Sequence, residues 1–133
     1  MSQENVDLAQ KGLDAFNRRD RAAWLALMDP DMEAVPPRDW PESAPIRGSE
    51  AMWSFYVQNI EAFREGVLEN VELIDAGNDR VLAHMRGEMQ GRLSDASVVF
   101  SFWPVSTFRH GKTVRMEWFA DQAEALKAVG LEE

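Results

Sequence analysis

Hydrophobic positions recur with two different periods along this chain, and the switch between them divides it into a helical first half and a stranded second half. Val6, Ala9, Leu13 and Phe16 fall three or four residues apart, with Gln10, Asp14 and Arg18 mostly off their stripe, which predicts an amphipathic helix over 3–18. Asp20 is placed to cap a second short helix over 21–28, apolar on more than one side through Trp24, Leu25, Leu27 and Met28, and Asp29-Pro30 ends it. Residues 32–35 read as a brief strand. Pro36, Pro37, Pro41 and Pro45 then exclude helix until Gly48 and define a loop carrying Trp40. Ser49 opens a third helix over about 49–64, with Met52, Tyr56, Ile60 and Phe63 along one stripe and Trp53 and Phe55 widening it; Gly66 separates it from the first long strand.

Beyond Gly66 the period falls to two. A strand is predicted over 67–75, a turn at Gly77-Asn78-Asp79 and a second strand over 80–92. In that second strand Val81, Ala83, Met85, Gly87, Met89 and Gly91 share one face, and Leu82, His84, Arg86, Glu88, Gln90 and Arg92 share the other. Leu93-Ser94-Asp95 turns the chain into 96–121, two long strands of β-branched and aromatic residues joined at His110-Gly111 between Arg109 and Lys112. A last helix starts at Asp121, which has capping-box spacing to Glu124, and stops at Gly130. Two strands alone are unstable in water, so the preceding elements must cover an apolar face of this hairpin. Helices followed by a run of antiparallel strands define an α+β domain over 1–133, a strongly curved sheet wrapped over three N-terminal helices with a short C-terminal helix outside.

Composition narrows the function classes. The 133 residues suit one domain with a self-sufficient core, and with no cysteine there is neither a disulfide framework nor a thiolate nucleophile or zinc ligand. A net charge of -9 opposes binding to nucleic acid or to anionic membranes. The acidic N-terminus lacks a basic region followed by an apolar run, and no uncharged apolar stretch approaches the roughly 18 residues of a membrane span. A cytoplasmic protein is the expectation.

Six strings, in order along nearly the whole chain, carry a family resemblance: 13–20 (Leu-Asp-Ala-Phe-Asn-Arg-Arg-Asp), 27–33 (Leu-Met-Asp-Pro-Asp-Met-Glu), Ile46-Arg47-Gly48, 74–81 (Ile-Asp-Ala-Gly-Asn-Asp-Arg-Val), 110–114 (His-Gly-Lys-Thr-Val) and 124–131 (Glu-Ala-Leu-Lys-Ala-Val-Gly-Leu). Together they resemble the SnoaL-like branch of the nuclear-transport-factor-2-like superfamily, the cystatin-like α+β cone shared with ketosteroid isomerase and limonene epoxide hydrolase. The resemblance implies a pocket open at one end of the cone and a homodimer through the outer face of the sheet. It does not bring the family's acids with it. The isomerase base, oxyanion tyrosine and oxyanion acid fall at Val35, Gly12 and Ser106, and only a hydroxyl survives. The cyclase His and Asp fall at Met116 and Trp118, which cannot shuttle protons at neutral pH. Arg86 and Glu88 suggest the epoxide-hydrolase set, but their parity puts them opposite Ala83 and Met85.

On this frame the hairpin's pocket face comprises Phe100, Phe102, Pro104 and Ser106 on one strand and Val114, Met116, Trp118 and Ala120 on the other. Val35, Trp53, Phe102, Met116 and Trp118 are the candidate ligand contacts. Polar candidates for catalysis are Glu33, sharing Val35's parity and pointing inward beside Arg47 as a general base, with Tyr56 and Ser106 as hydroxyls. His84 and His110 are too far apart to suggest a metal, and no cofactor is implied. Trp103, Ser101, Val105 and Thr107 fall on the outer face and offer the dimer contact. Two readings are open: acid-base isomerase, cyclase or hydrolase chemistry on a small hydrophobic organic molecule, or a non-catalytic ligand-binding or accessory dimerisation domain. A carboxylate converging with a donor inside the cavity separates them.

Overall fold

The computed structural model describes residues 3–37, 44–60, 63–91 and 97–131. The elements run α1 (Gln3–Asn17), α2 (Arg21–Ala26), β1 (Met28–Val35), β2 (Ile46–Arg47), α3 (Ser49–Ile60), β3 (Phe63–Gly77), β4 (Arg80–Gly91), β5 (Ser97–Phe102), β6 (Val105–Arg109), β7 (Lys112–Glu117) and α4 (Gln122–Ala128). They form the expected α+β cone, a curved seven-stranded sheet in the order β2-β1-β7-β6-β4-β3 with β5 also on β4. The sheet is antiparallel apart from the parallel pair β1 and β7. The loop carrying Trp40 and the turn at Leu93-Ser94-Asp95 lie outside the described residues.

Turn chemistry sets the registers. His110 and Gly111 have φ of 53° and 75°, and Asn78 and Asp79 have 56° and 59°, the left-handed pairs that let a two-residue loop match strand twist. Asp20 accepts from the Ala23 N–H at 3.1 Å and Asp121 from the Ala123 N–H at 2.7 Å, so both predicted caps form.

Several boundaries differ from the sequence pattern, each for a local reason. Helix α2 stops at Ala26, and Asp29-Pro30 lies inside β1, where the register with β7 slips between Met28 and Glu33 and so tolerates a residue without an N–H. Helix α3 ends at Ile60, so Phe63 and Gly66 belong to β3. The long strand before His110 is two strands, broken at Trp103-Pro104: the proline cannot donate to the ladder, and its carbonyl accepts from the Ala83 N–H at 3.0 Å. Strand β7 ends at Glu117 rather than running to 121.

Burial separates two apolar clusters on opposite faces of the sheet. The inner one joins Leu13, Phe16 and Trp24 to Met28, Met32, Met52, Trp53, Leu68 and Met85. The outer one places Leu82 and Val105 under Ala125 of α4 and Val129 at its C-cap, with Trp103 and Phe119 at its margin. The Arg80 guanidinium holds that helix from below, reaching the Val129 carbonyl at 3.3 Å and the Ala128 carbonyl at 3.5 Å. Val105, expected on an exposed outer stripe, is therefore buried by the protein's own last helix.

Candidate functional site

Between the three N-terminal helices and the concave face of the sheet lies a cavity of about 300 Å³, at the small end of the range for ligand sites. Helix α1 contributes Leu8, Ala9, Gly12 and Phe16, and the absent side chain at Gly12 leaves that wall low. Helix α3 presents Met52 and Tyr56, one turn apart on one stripe. From the sheet come Leu68 and Asn70 of β3, Ala83 and Met85 of β4, Phe100 and Phe102 of β5, Ser106 of β6, and Thr113, Met116 and Trp118 from β7 and its end.

The hairpin parity predicts Phe100, Phe102, Pro104, Ser106, Met116 and Trp118 correctly. Val114 and Ala120 do not line the cavity. Val114 is the extra residue of a bulge, because Thr107 pairs with Arg115 and Phe108 with Thr113, so Thr113 takes the inward place. Ala120 is exposed beyond the end of the strand.

Glu33 and Val35 are absent from the lining as well. Along β1 the buried side chains are Met28, Met32 and Ala34, the last two at 1% and 0% exposure, so Glu33 and Val35 face the other way. Glu33 instead binds Arg115 at 2.8 Å and lies 3.6 Å from Arg47, with Arg115 also 3.5 Å from Glu117. It is the centre of a partly solvated ion cluster across β2, β1 and β7 and cannot serve the cavity as a base. Trp53 is core: its ring meets Phe16 at 5.6 Å and Trp24 at 5.4 Å, filling the space behind the cavity wall.

The site's polarity resides in a row of side chains across the sheet. Asn70 is the register partner of Met85, and Met85 of Phe102. Phe102 meets Trp118 edge-on at 5.7 Å, and Trp118 meets Tyr56 at 5.2 Å. Trp118 is fixed by its backbone, whose N–H donates to the Val35 carbonyl at 2.9 Å. The Tyr56 hydroxyl, the Trp118 indole nitrogen and the Asn70 side-chain oxygen are all shut off from solvent and have no hydrogen-bond partner among the described residues. A buried polar group left unpaired costs about 1–3 kcal/mol; the Trp103 indole nitrogen, whose residue does not line the cavity, is a fourth such atom. Asn70 has no place among the sequence candidates, yet it shares parity with Leu68, a polar residue on an apolar strand face.

No described residue lining the cavity is a carboxylate, histidine, lysine or arginine. No cluster of three or more potential metal ligands occurs among the described residues. His84 lies on the outer face, its ring stacked on Trp103 at 4.8 Å and its Nε2 3.1 Å from the Ser101 hydroxyl. No helix among the described residues is long and apolar enough to cross a membrane.

Burial pushes the Tyr56 phenol well above the ordinary tyrosine range. It stays a neutral donor wherever the fold persists. The unfolded chain ionises near pH 10, so above that pH the unfolded state holds fewer protons and stability falls as pH rises. Tyr56 is the chain's one tyrosine, which makes tyrosinate absorbance report it alone. No ionisation is expected through pH 10 while the fold is intact, followed by a rise coincident with alkaline unfolding; an ordinary midpoint in folded protein would contradict the buried placement.

The helix-lined cone has the nuclear-transport-factor-2-like fold, as solved structures show. A protein of that class from Burkholderia pseudomallei, of unknown function, superposes with a TM-score of 0.76 at 23% identity, covering 97% of this chain and 98% of its own. TerC, co-crystallised with polyporic acid, gives 0.76 at 23% identity over 96% and 99%. A Mycobacterium tuberculosis protein in complex with estradiol-17beta-hemisuccinate gives 0.75 at 18% identity over 91% and 96%. The SnoaL-like domain model matches residues 9–116, and the chain belongs to that family. A search of curated proteins finds no significant match.

Proposed function

We propose that the protein binds a small, uncharged, mostly apolar organic molecule in the cone, with no proton transfer by the cavity itself. The observation that carries this is the pair of unpartnered buried donors, the Tyr56 hydroxyl and the Trp118 N–H, on adjacent rings in a mostly apolar space. Such donors suit a hydrogen-bond acceptor, such as a carbonyl oxygen, and a charged ligand would find no counter-ion among the described lining residues. Ser106 and Thr113 add hydroxyls at the β6 and β7 wall. Phe102 and Met116 supply apolar contact. TerC was crystallised with polyporic acid and the mycobacterial protein with estradiol-17beta-hemisuccinate; by analogy of fold alone these support a mostly apolar organic ligand in the cone, while the absence of charge on it rests on the lining residues here.

We also propose a homodimer through the outer face of β3, β4 and β5. Val71, the extra residue of a bulge in β3, is 52% exposed and Val99 of β5 is 56% exposed, apolar positions on a face otherwise carrying Arg86 and Glu88.

The test monitors tryptophan fluorescence against neutral aromatic ketones and the matching hydrocarbons, with sedimentation on the same samples. Ketones are expected to quench and to bind about tenfold better than hydrocarbons, and Trp118→Phe to remove both effects. A monomer at micromolar concentration would remove the dimer. No response to any compound would remove the binding reading, and turnover of a ketone lost in Tyr56→Phe would replace it with catalysis.

A further inference from the structure

The two donors describe only one end of the row of side chains across the cavity. At its other end stands Asn70, and an amide can present either its oxygen or its NH₂ to a ligand. Which one it presents here is decided outside the cavity, on α1. Asp14 has a carboxylate that only accepts, and Gln10, one turn earlier, donates its Nε2 to Asp14 Oδ1 at 2.9 Å. With its NH₂ committed, Gln10 has its oxygen left, and Asn70 donates Nδ2 to that Oε1 at 3.2 Å. The remaining Asn70 Oδ1 is the buried atom without a partner among the described residues, and Asn70 lines the cavity. A carboxylate at the surface thus sets, through two amides, which atom of Asn70 is left without a partner.

We propose that Asn70, oriented by Gln10 and Asp14, is a specificity-determining residue: its carbonyl accepts a hydrogen bond from a hydroxyl or N–H of the bound molecule. This rests on the binding function proposed above and narrows its ligand class to neutral, mostly apolar hydroxy compounds such as phenols or hydroxyketones. β3 and the end of β7 are three strand spacings apart in the sheet, about 14 Å along its surface, so the donor the ligand offers Asn70 is separate from the acceptor it offers Tyr56 and Trp118. A methyl ether at the same place would leave the Asn70 oxygen buried and unpaired, which is how a polar site rejects an analogue lacking one hydrogen.

The test compares a naphthol, its methyl ether and naphthalene, measured by calorimetry and by tryptophan fluorescence on the full chain. The wild-type protein is expected to prefer the naphthol to the ether about tenfold, and Asn70→Leu to abolish the preference while still binding naphthalene. Gln10 lies at the half-exposed surface of α1, so its substitution spares the fold. Gln10→Glu keeps an acceptor facing Asn70 and is expected to retain the naphthol preference. Gln10→Lys offers only donors, turns the Asn70 oxygen away from the cavity and the NH₂ into it, and is expected to bring the ether level with the naphthol or ahead of it. A merely structural role for Gln10 would change all three affinities together. If the three compounds bind equally and neither Asn70→Leu nor Gln10→Lys changes their ratio, the assignment of Asn70 is overturned while binding stands; if the folded wild-type protein binds none of the three, both fall.

Discussion

Replacing Gly87 by alanine is expected to destabilise the protein by about 1–3 kcal/mol, the usual range for forcing an atom into a packed interior. A Cβ on Gly87 would sit 2.6 Å from Phe100 Cζ, 2.9 Å from its Cε2 and 2.7 Å from Leu68 Cδ2, all inside contact distance. The crowding follows from the register: Gly87 is the partner of Leu68 on one side and of Phe100 on the other, so both neighbours lean over the missing side chain. Leu68 also directs its backbone N–H and carbonyl away from β4, to Asn17 Oδ1 at 3.1 Å and Asn17 Nδ2 at 2.7 Å. It therefore faces Gly87 as a non-hydrogen-bonded pair, the closer of the two antiparallel spacings. Phe100 lines the cavity, so a ring displaced into it should lower ligand affinity together with stability. Chemical denaturation of Gly87→Ala, Phe100→Ala and the double variant checks this. The alanine should cost much less in the Phe100→Ala background, a coupling of about 0.5–3 kcal/mol; equal costs in both backgrounds would show that Phe100 does not hold the site closed.

Periodicity places Gly87 on the inner face with Ala83 and Met85, and it fails elsewhere, at bulges. A period of two assigns faces correctly until one residue is added, after which every later side chain changes sides. Strand β4 and the His110-Gly111 hairpin carry strong turn signals close to the positions in question, and Ala83, Met85, Phe102, Ser106 and Met116 fall on the inner face as the pattern predicts. Bulges have no comparable signature in composition. Val71 in β3 and Val114 in β7 read as ordinary strand residues, yet each is the extra residue that resets the parity around it.

The polar part of the site is legible in proportion to how local its cause is. Tyr56 follows from the α3 stripe and Trp118 from the hairpin parity. Glu33 is misplaced when a slot taken from the family resemblance outweighs the plain alternation Met32, Glu33, Ala34, which by itself keeps the charge outside with Arg47 and Arg115. Asn70 depends on a partner 60 residues away in sequence. Its sidedness, with Leu68, is visible in the strand; the direction of its amide is not, since that is fixed by Gln10 and Asp14 across a tertiary contact.

The second large effect is expected at Leu82→Ala, about 2–5 kcal/mol, the cost of deleting a large buried side chain where the surroundings cannot collapse. Leu82 is 2% exposed and lies on the convex side of the sheet with Val105, Ala76, Ala125 and Val129, so the lost contacts are those that hold α4. Neighbouring Arg80 binds the carbonyls at the end of the same helix and prevents α4 from sliding inward to refill the space. None of these side chains lines the cavity. The two clusters touch opposite faces of one sheet, and stability and ligand choice are therefore separable: Leu82→Ala should lower the denaturation midpoint strongly while its folded fraction keeps the wild-type order of ligands, whereas Gly87→Ala should disturb both. Denaturant titration followed by ligand titration at low temperature distinguishes them. A cost below about 1 kcal/mol would mean that α4 contributes little to the fold, and a changed ligand order in Leu82→Ala would mean that the convex core shapes the cavity through the sheet.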